Sequence, residues 1–213
     1  MAGEKKVLRW ALEAGSLKRV KRTGWWCAGI KDPESVAEHS HRMALLAYYI
    51  AGEEGGDPCK AAALGVFHDL PEARIGDAHA VVKRYWTGLR QDEERARDEQ
   101  NACLPAGRSR RSIAGLGREW SQGSSPEARA ARDADYLECA LQALEYLWRD
   151  SAAAQEWLDS NIGRLRTKTG KRLGAALRRV FQRGEWEALS IWWKDIYQLR
   201  PCGDGNSGSV TDV

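Results

Sequence analysis

Apolar residues along the chain recur at spacings of three and four and almost nowhere alternate with polar ones. That period belongs to helices packed on one face, so the pattern predicts an all-α fold with no sheet and no internal repeat. A first helix is expected over residues 5–17, followed by a break at Gly24 and the basic cluster LKRVKRTGWW. Asp32-Pro33 and Asp57-Pro58 are start signals, because Asp caps a helix and Pro fits its first turn. They predict helices over 34–53, stopping near Gly55-Gly56, and over 59–68. Further helices are expected at 78–86 and 89–103, then a loop at 105–111 and a weaker helix at 112–120, where Gly115 and Gly117 lower the propensity. Ser125-Pro126 opens a long helix to Arg149 with the stripe Leu137, Ala140, Leu141, Leu144, Leu147 and Trp148. Three shorter helices are predicted at 152–162, 171–183 and 185–197. The Gly- and Ser-rich stretch 201–213 reads as a disordered tail. The expectation is one compact helical bundle over 1–200 plus that tail.

Composition narrows the partners. A net charge of +3 on 213 residues argues against nucleic-acid binding. No apolar run is long enough to span a bilayer, and the N-terminus lacks a signal-peptide core. The five cysteines are scattered and form no CxxC pair, which fits a reduced, cytoplasmic setting. Trp186, Trp192 and Trp193 fall in the last predicted helix and are expected to build core or a dimer surface.

The candidate chemistry is concentrated. All four histidines lie between His39 and His79. His39 shares a helix face with Val36, Met43, Leu46, Ala47 and Ile50, whereas His41, about 200° around the helix, points away. His68-Asp69 ends an apolar run and is followed by Glu72 and Asp77. Charged groups at the end of a packed helix need a partner, and an imidazole beside a carboxylate suits one divalent transition metal. Mn²⁺, Fe²⁺, Co²⁺, Ni²⁺ and Zn²⁺ all fit; Mg²⁺ fits if oxygen ligands dominate. A further ligand is expected from the helix after Ser125, where Asp133 and Asp135 both qualify. Helical phase slightly favours Asp133 and leaves the choice open.

The order His39, His68-Asp69, Asp135 resembles the HD-domain metal-dependent phosphohydrolases. The segments LKRVKRTGW, PESVAEHSHRMALLA, FHDLPEARIGD and DADYLE resemble their 5′-deoxynucleotidase branch, over about residues 17–148. The resemblance implies an all-α bundle and a metal held by His39, His68, Asp69 and Asp135. It implies Glu72 and Asp69 as the catalytic carboxylates, with Glu72 moving the proton. It further implies a substrate pocket using Arg22 for phosphate, Asp77 near the sugar, Trp25 for orientation and Lys83 as a second phosphate contact. Thr23 and Gly24 separate Arg22 from Trp25, where bacterial relatives have an adjacent Arg-Trp pair, and His79 replaces a small residue or Pro. The implied reaction removes the 5′-phosphate from (deoxy)ribonucleoside monophosphates, in a homodimer. Two alternatives compete: another HD phosphohydrolase, acting on a nucleoside triphosphate or phosphorylated metabolite, and a non-catalytic nucleotide-binding protein. A triphosphate asks for more cations than Arg22 and Lys83; a structural metal would need neither Glu72 nor Asp77.

Overall fold

A computed structural model of the chain describes residues 2–149 and 151–185. The predicted helix at 185–197, its tryptophans Trp186, Trp192 and Trp193, and the predicted tail at 201–213 lie outside the described residues. The chain divides into two compact units, 1–177 and 178–213, and every site residue discussed below belongs to the first.

In chain order the helices are α1 (Ala2–Ala14), α2 (Gly24–Cys27), α3 (Val36–Glu53), α4 (Pro58–Phe67), α5 (Glu72–Ile75), α6 (Ala80–Tyr85), α7 (Leu89–Cys103), α8 (Arg108–Gln122), α9 (Pro126–Leu147), α10 (Gln155–Arg164) and α11 (Lys168–Gln182). Short 3₁₀ turns follow α1 and precede α10. Among the described residues there is no strand, only one isolated bridge between Lys21 and Ser35. No described helix is long and apolar enough to cross a membrane.

The core is α3 packed between α4 and α9, with α10 against α9 and α8 against α4 and α7. Val36, Met43, Ala47 and Ile50 of α3 are wholly buried, as predicted, and His41 is exposed. Small residues let the helices approach closely. A Cβ on Gly65 of α4 would lie 2.9 Å from the Cα of Ala44 in α3, so only glycine fits that crossing. This contact brings the end of α4, where His68 sits, against the face of α3 that carries His39.

Most boundaries shift by a few residues from those expected, and two of the shifts have a plain local cause. Helix α3 begins at Val36 rather than Glu34, because Ser35 caps it in a reciprocal capping box with Glu38. Asp32 is instead paired with Lys21 at 2.6 Å. Helix α8 is longer than expected, replacing most of the predicted 105–111 loop. Packing overrides the weak propensity of its glycines: Trp120 is buried, and Gly117 makes room for Arg97 of α7.

Candidate active site

Three helices meet at two imidazoles. His39 of α3 is wholly buried, and its Nδ1 lies 2.5 Å from Oε2 of the buried Glu138 on α9. Glu138 is in turn gripped by Arg42, whose Nε and Nη2 donate to Oε1 at 3.0 and 2.8 Å. With Nδ1 committed to a carboxylate, Nε2 is the nitrogen left for another use. It has no hydrogen-bond partner and lies 3.3 Å from Asp135 Oδ1. His68 repeats the arrangement. Its Nδ1 donates to the Gly65 carbonyl at 2.8 Å, while Nε2 sits 2.8 Å from Asp69 Oδ2 without hydrogen-bond geometry. Trp120 packs edge-on against the His68 ring.

One ligand atom each from His39, His68 and Asp69 lie within 4.8 Å of one another. Two orphaned, buried imidazole nitrogens facing carboxylate oxygens form a nitrogen and oxygen donor set, with outer partners that fix each ring. This set fits a divalent transition metal. The electrostatics agree. Burial and Arg22 both oppose charge on His39, yet Glu138 and Asp135 overcome them and push its pKa up to about 10. Burial likewise opposes ionisation of Asp135, but the neighbouring imidazoles and Arg22 hold its pKa at about 2. Asp69 is held below the usual carboxylate range against its burial, chiefly by His68 and Arg22. The cluster therefore favours cations.

Phase had left Asp133 and Asp135 undecided, and the structure separates them. Asp133 is buried on the apolar stripe, where its carboxylate accepts the backbone N–H groups of Arg166 and Thr167 and the Thr167 hydroxyl. It holds the approach to α11. Asp135 lies on the next face of α9, with Glu138 and Cys139, against His39.

Arg22 reaches the cluster from the segment before α2. Its backbone N–H donates to the Glu34 carbonyl at 3.0 Å, beside the Lys21–Ser35 bridge. Its guanidinium lies 3.3 Å from Asp69, 3.6 Å from Asp77 and 3.3 Å from Cys139 Sγ. Asp77 Oδ2 accepts the Thr23 N–H at 2.6 Å and its hydroxyl at 2.8 Å. Asp77 thus anchors the Arg22 segment, and it does not cap α6. The turn that aims it passes through Gly76, at φ 76°.

Two cavities adjoin the cluster and share Arg22, Lys83, Cys139, Asn161 and Arg164 in their walls. One, of about 480 Å³, contains His68, Asp69, Glu72 and Asp135. Glu72 is buried with Oε2 unpartnered; burial, then the Asp69 and Asp77 carboxylates, push its pKa well above the usual range. The other, of about 520 Å³, is lined by Asp77 and by Trp25, His79 and Trp157. Trp25 is buried edge-on to Tyr146, and its indole N–H donates to Glu34 at 3.1 Å.

The structure thus brings together His39, His68, Asp69, Asp135, Glu72 and Arg22, with Asp77, Trp25 and Lys83 around them. Glu138, Trp157, Arg97, Arg132 and Arg164 escaped the sequence reading. Glu138 had a signal: with Asp135, Cys139 and Gln142 it makes a polar face on a helix otherwise striped with leucine. The arginines had none, because distant helices bring them into one wall.

A family model described as an HD domain matches residues 14–176. A 5′-deoxynucleotidase of Homo sapiens, HDDC2, is 33% identical over 165 residues, 76% of this chain and 79% of that protein. Its counterpart in Danio rerio is 34% identical over 66% of this chain and 69% of that one. A conserved hypothetical protein from Pyrococcus furiosus superposes with a TM-score of 0.68 at 27% identity, over 81% of this chain and 99% of its own. A predicted metal-dependent phosphohydrolase from Magnetospirillum magnetotacticum, 22% identical, shares the fold, with a TM-score of 0.64 over 86% of this chain and 95% of its own. The all-α bundle, the paired imidazoles at its centre and the match across most of the chain agree: this protein belongs to the HD-domain family of metal-dependent phosphohydrolases, in its 5′-deoxynucleotidase branch.

Proposed function

We propose that the protein hydrolyses the 5′-phosphate ester of 2′-deoxyribonucleoside monophosphates, releasing nucleoside and inorganic phosphate. The observation that carries this reading is the convergence of the buried, unpartnered Nε2 atoms of His39 and His68 on Asp135 and Asp69, with His68 and both carboxylates lining one cavity beside a second that is lined by aromatic rings. A donor set of this kind would be held by His39, His68, Asp69 and Asp135 around one divalent transition metal. Such an ion supplies Lewis-acid polarisation of a phosphate oxygen and of water.

The chain's own residues do the rest. Arg22, fixed by Asp77 through Thr23, offers a planar guanidinium to two phosphate oxygens. Lys83 adds charge from the shared wall. Glu72, kept protonated by burial and its carboxylate neighbours, holds a proton for the departing sugar oxygen. Asp69 aligns His68 and Arg22 on one side of the phosphate. Trp25, His79 and Trp157 give the nucleoside apolar faces to pack on, with Asp77 at the sugar end. Trp25 thus enters from its shifted position despite the intervening Thr23 and Gly24. The four described cysteines are unpaired, which supports a cytoplasmic enzyme.

The test is phosphate release from a panel of nucleoside monophosphates with added Mn²⁺, Co²⁺, Ni²⁺, Zn²⁺ or Mg²⁺, for the wild type and Asp69→Ala. The reading expects release by the wild type, fastest with deoxyribonucleotides, and none by the variant. Equal release by both would reject it.

A further inference from the structure

The cavity that contains the cluster is larger than a single phosphate needs, and three arginines besides Arg22 and Arg90 line it. Arg97 of α7, Arg132 of α9 and Arg164 at the end of α10 all line it. None of the three forms an ion pair within 4.0 Å among the described residues. Each is held by neutral groups instead. Arg97 reaches the Ser121 hydroxyl at 3.4 Å, and its Nε is buried without a partner. Arg132 stacks 3.8 Å over the Trp120 ring and donates to the Trp120 carbonyl at 3.0 Å. Arg164 lies 5.6 Å over the Tyr136 ring. Two partly buried arginines elsewhere behave differently: Arg42 and Arg22 each sit against carboxylates.

Leaving a partly buried guanidinium unpaired costs stability, and the fold does so at Arg97 and Arg132. It also gives up a side chain for it. A Cβ on Gly117, in the middle of α8, would collide with the Arg97 side chain, so a helix-weakening glycine makes room for that arginine. The acids of this wall do not cancel the charge. Glu94 pairs with Arg90 at 3.2 Å, and among the described residues neither it nor Glu93 forms an ion pair with Arg97, Arg132 or Arg164.

We propose that this wall is a second phosphate subsite, and that the enzyme therefore also takes nucleoside 5′-diphosphates, with the α-phosphoryl group at the His–Asp cluster and the β-phosphoryl group against Arg97 and Arg132. This rests on the monophosphatase reading and extends it. In the reaction, water adds its oxygen to the α-phosphorus and the bond from the α-phosphorus to O5′ breaks. O5′ leaves with the Glu72 proton, and a water proton restores Glu72. The products are nucleoside and pyrophosphate. Arg22 and Lys83 alone are too few cations for a longer phosphate chain; Arg97 and Arg132 add to them in the folded cavity.

The test uses the full chain with its activating metal and the base whose monophosphate is turned over fastest. Pyrophosphate release from the matching 5′-diphosphate is measured beside phosphate release from the monophosphate, for the wild type, Arg97→Gln and Arg164→Gln. The wild type is expected to release pyrophosphate. Arg97→Gln is expected to raise KM for the diphosphate about tenfold, the scale of a lost charge-assisted hydrogen bond, with the monophosphate KM within about twofold. Its melting temperature should stay level or rise, which separates a lost subsite from a lost fold. The exposed Arg164→Gln should shift KM for the diphosphate in the same direction, more weakly. Absence of pyrophosphate from an enzyme active on the monophosphate overturns the proposal, and so does an Arg97→Gln penalty equal on both substrates. Inactivity on both would instead bring down the nucleotidase reading beneath it.

Discussion

At the scale of the residue, Glu72 and Glu138 show how one carboxyl chemistry serves opposite ends. Glu138 faces Arg42 and the His39 ring, and these hold it ionised against its burial. Glu72 has buried surroundings and two like charges, and these push its pKa well above the usual carboxylate range. Two outcomes follow. Glu72→Gln should lower kcat by roughly 10²-fold or more, the scale of a lost general acid, while KM and metal content stay near those of the wild type. Titrated metal binding together with steady-state kinetics checks both. Glu138→Gln should instead weaken metal affinity roughly 10- to 100-fold, because a mispositioned His39 ring offers its lone pair poorly. Activity should then return at high metal concentration, a rescue that Glu72→Gln should not show.

At the scale of the element, α9 carries two separate tasks one face apart. Asp135 looks to the His39 ring, and Asp133 collects the backbone N–H groups ahead of α11. Asp133→Ala should therefore lower the melting temperature, through the loss of several buried hydrogen bonds worth about 1 kcal/mol or more each, yet leave metal stoichiometry unchanged. Calorimetry and metal analysis of the same sample decide it. Ser35→Ala, which removes the cap of α3, should cost about 1 kcal/mol in denaturant unfolding. These helices also mark what a linear reading can reach. His39 was legible because the three-and-four spacing of Val36, Met43 and Ile50 fixes which way it points. Ser125-Pro126 and Asp57-Pro58 were legible because capping is local. The choice between Asp133 and Asp135 was not, because α9 is buried on more than one face and apolar phase no longer marks a single direction. The arginine wall lay further out of reach, since Arg97, Arg132 and Arg164 meet only after α7, α9 and α10 have packed.

At the scale of the molecule, burial of charge near the site ties stability to pH. Glu34 is pushed up to about 7 by burial and by Glu138, against the pull of His39, Arg22 and the Trp25 indole. An acid raised in the fold contributes no penalty below its unfolded value near 4.5. Stability is then lost as pH climbs from there through about 7. Glu34→Gln, which keeps a group able to accept from Trp25, should flatten that decline by on the order of 2 kcal/mol, read from urea midpoints between mildly acid and mildly alkaline buffer. In the proposed reading, one cation shared by three helices makes this bundle an enzyme. The most direct measurement is metal content per chain alongside phosphate release from a deoxyribonucleoside monophosphate, for wild type and Asp135→Ala. One divalent ion per wild-type chain is expected, with loss of both ion and activity in the variant and the helical fold intact by circular dichroism. A variant that keeps its phosphate release, or a wild type that keeps it after complete metal removal, would rule out catalysis by a shared ion.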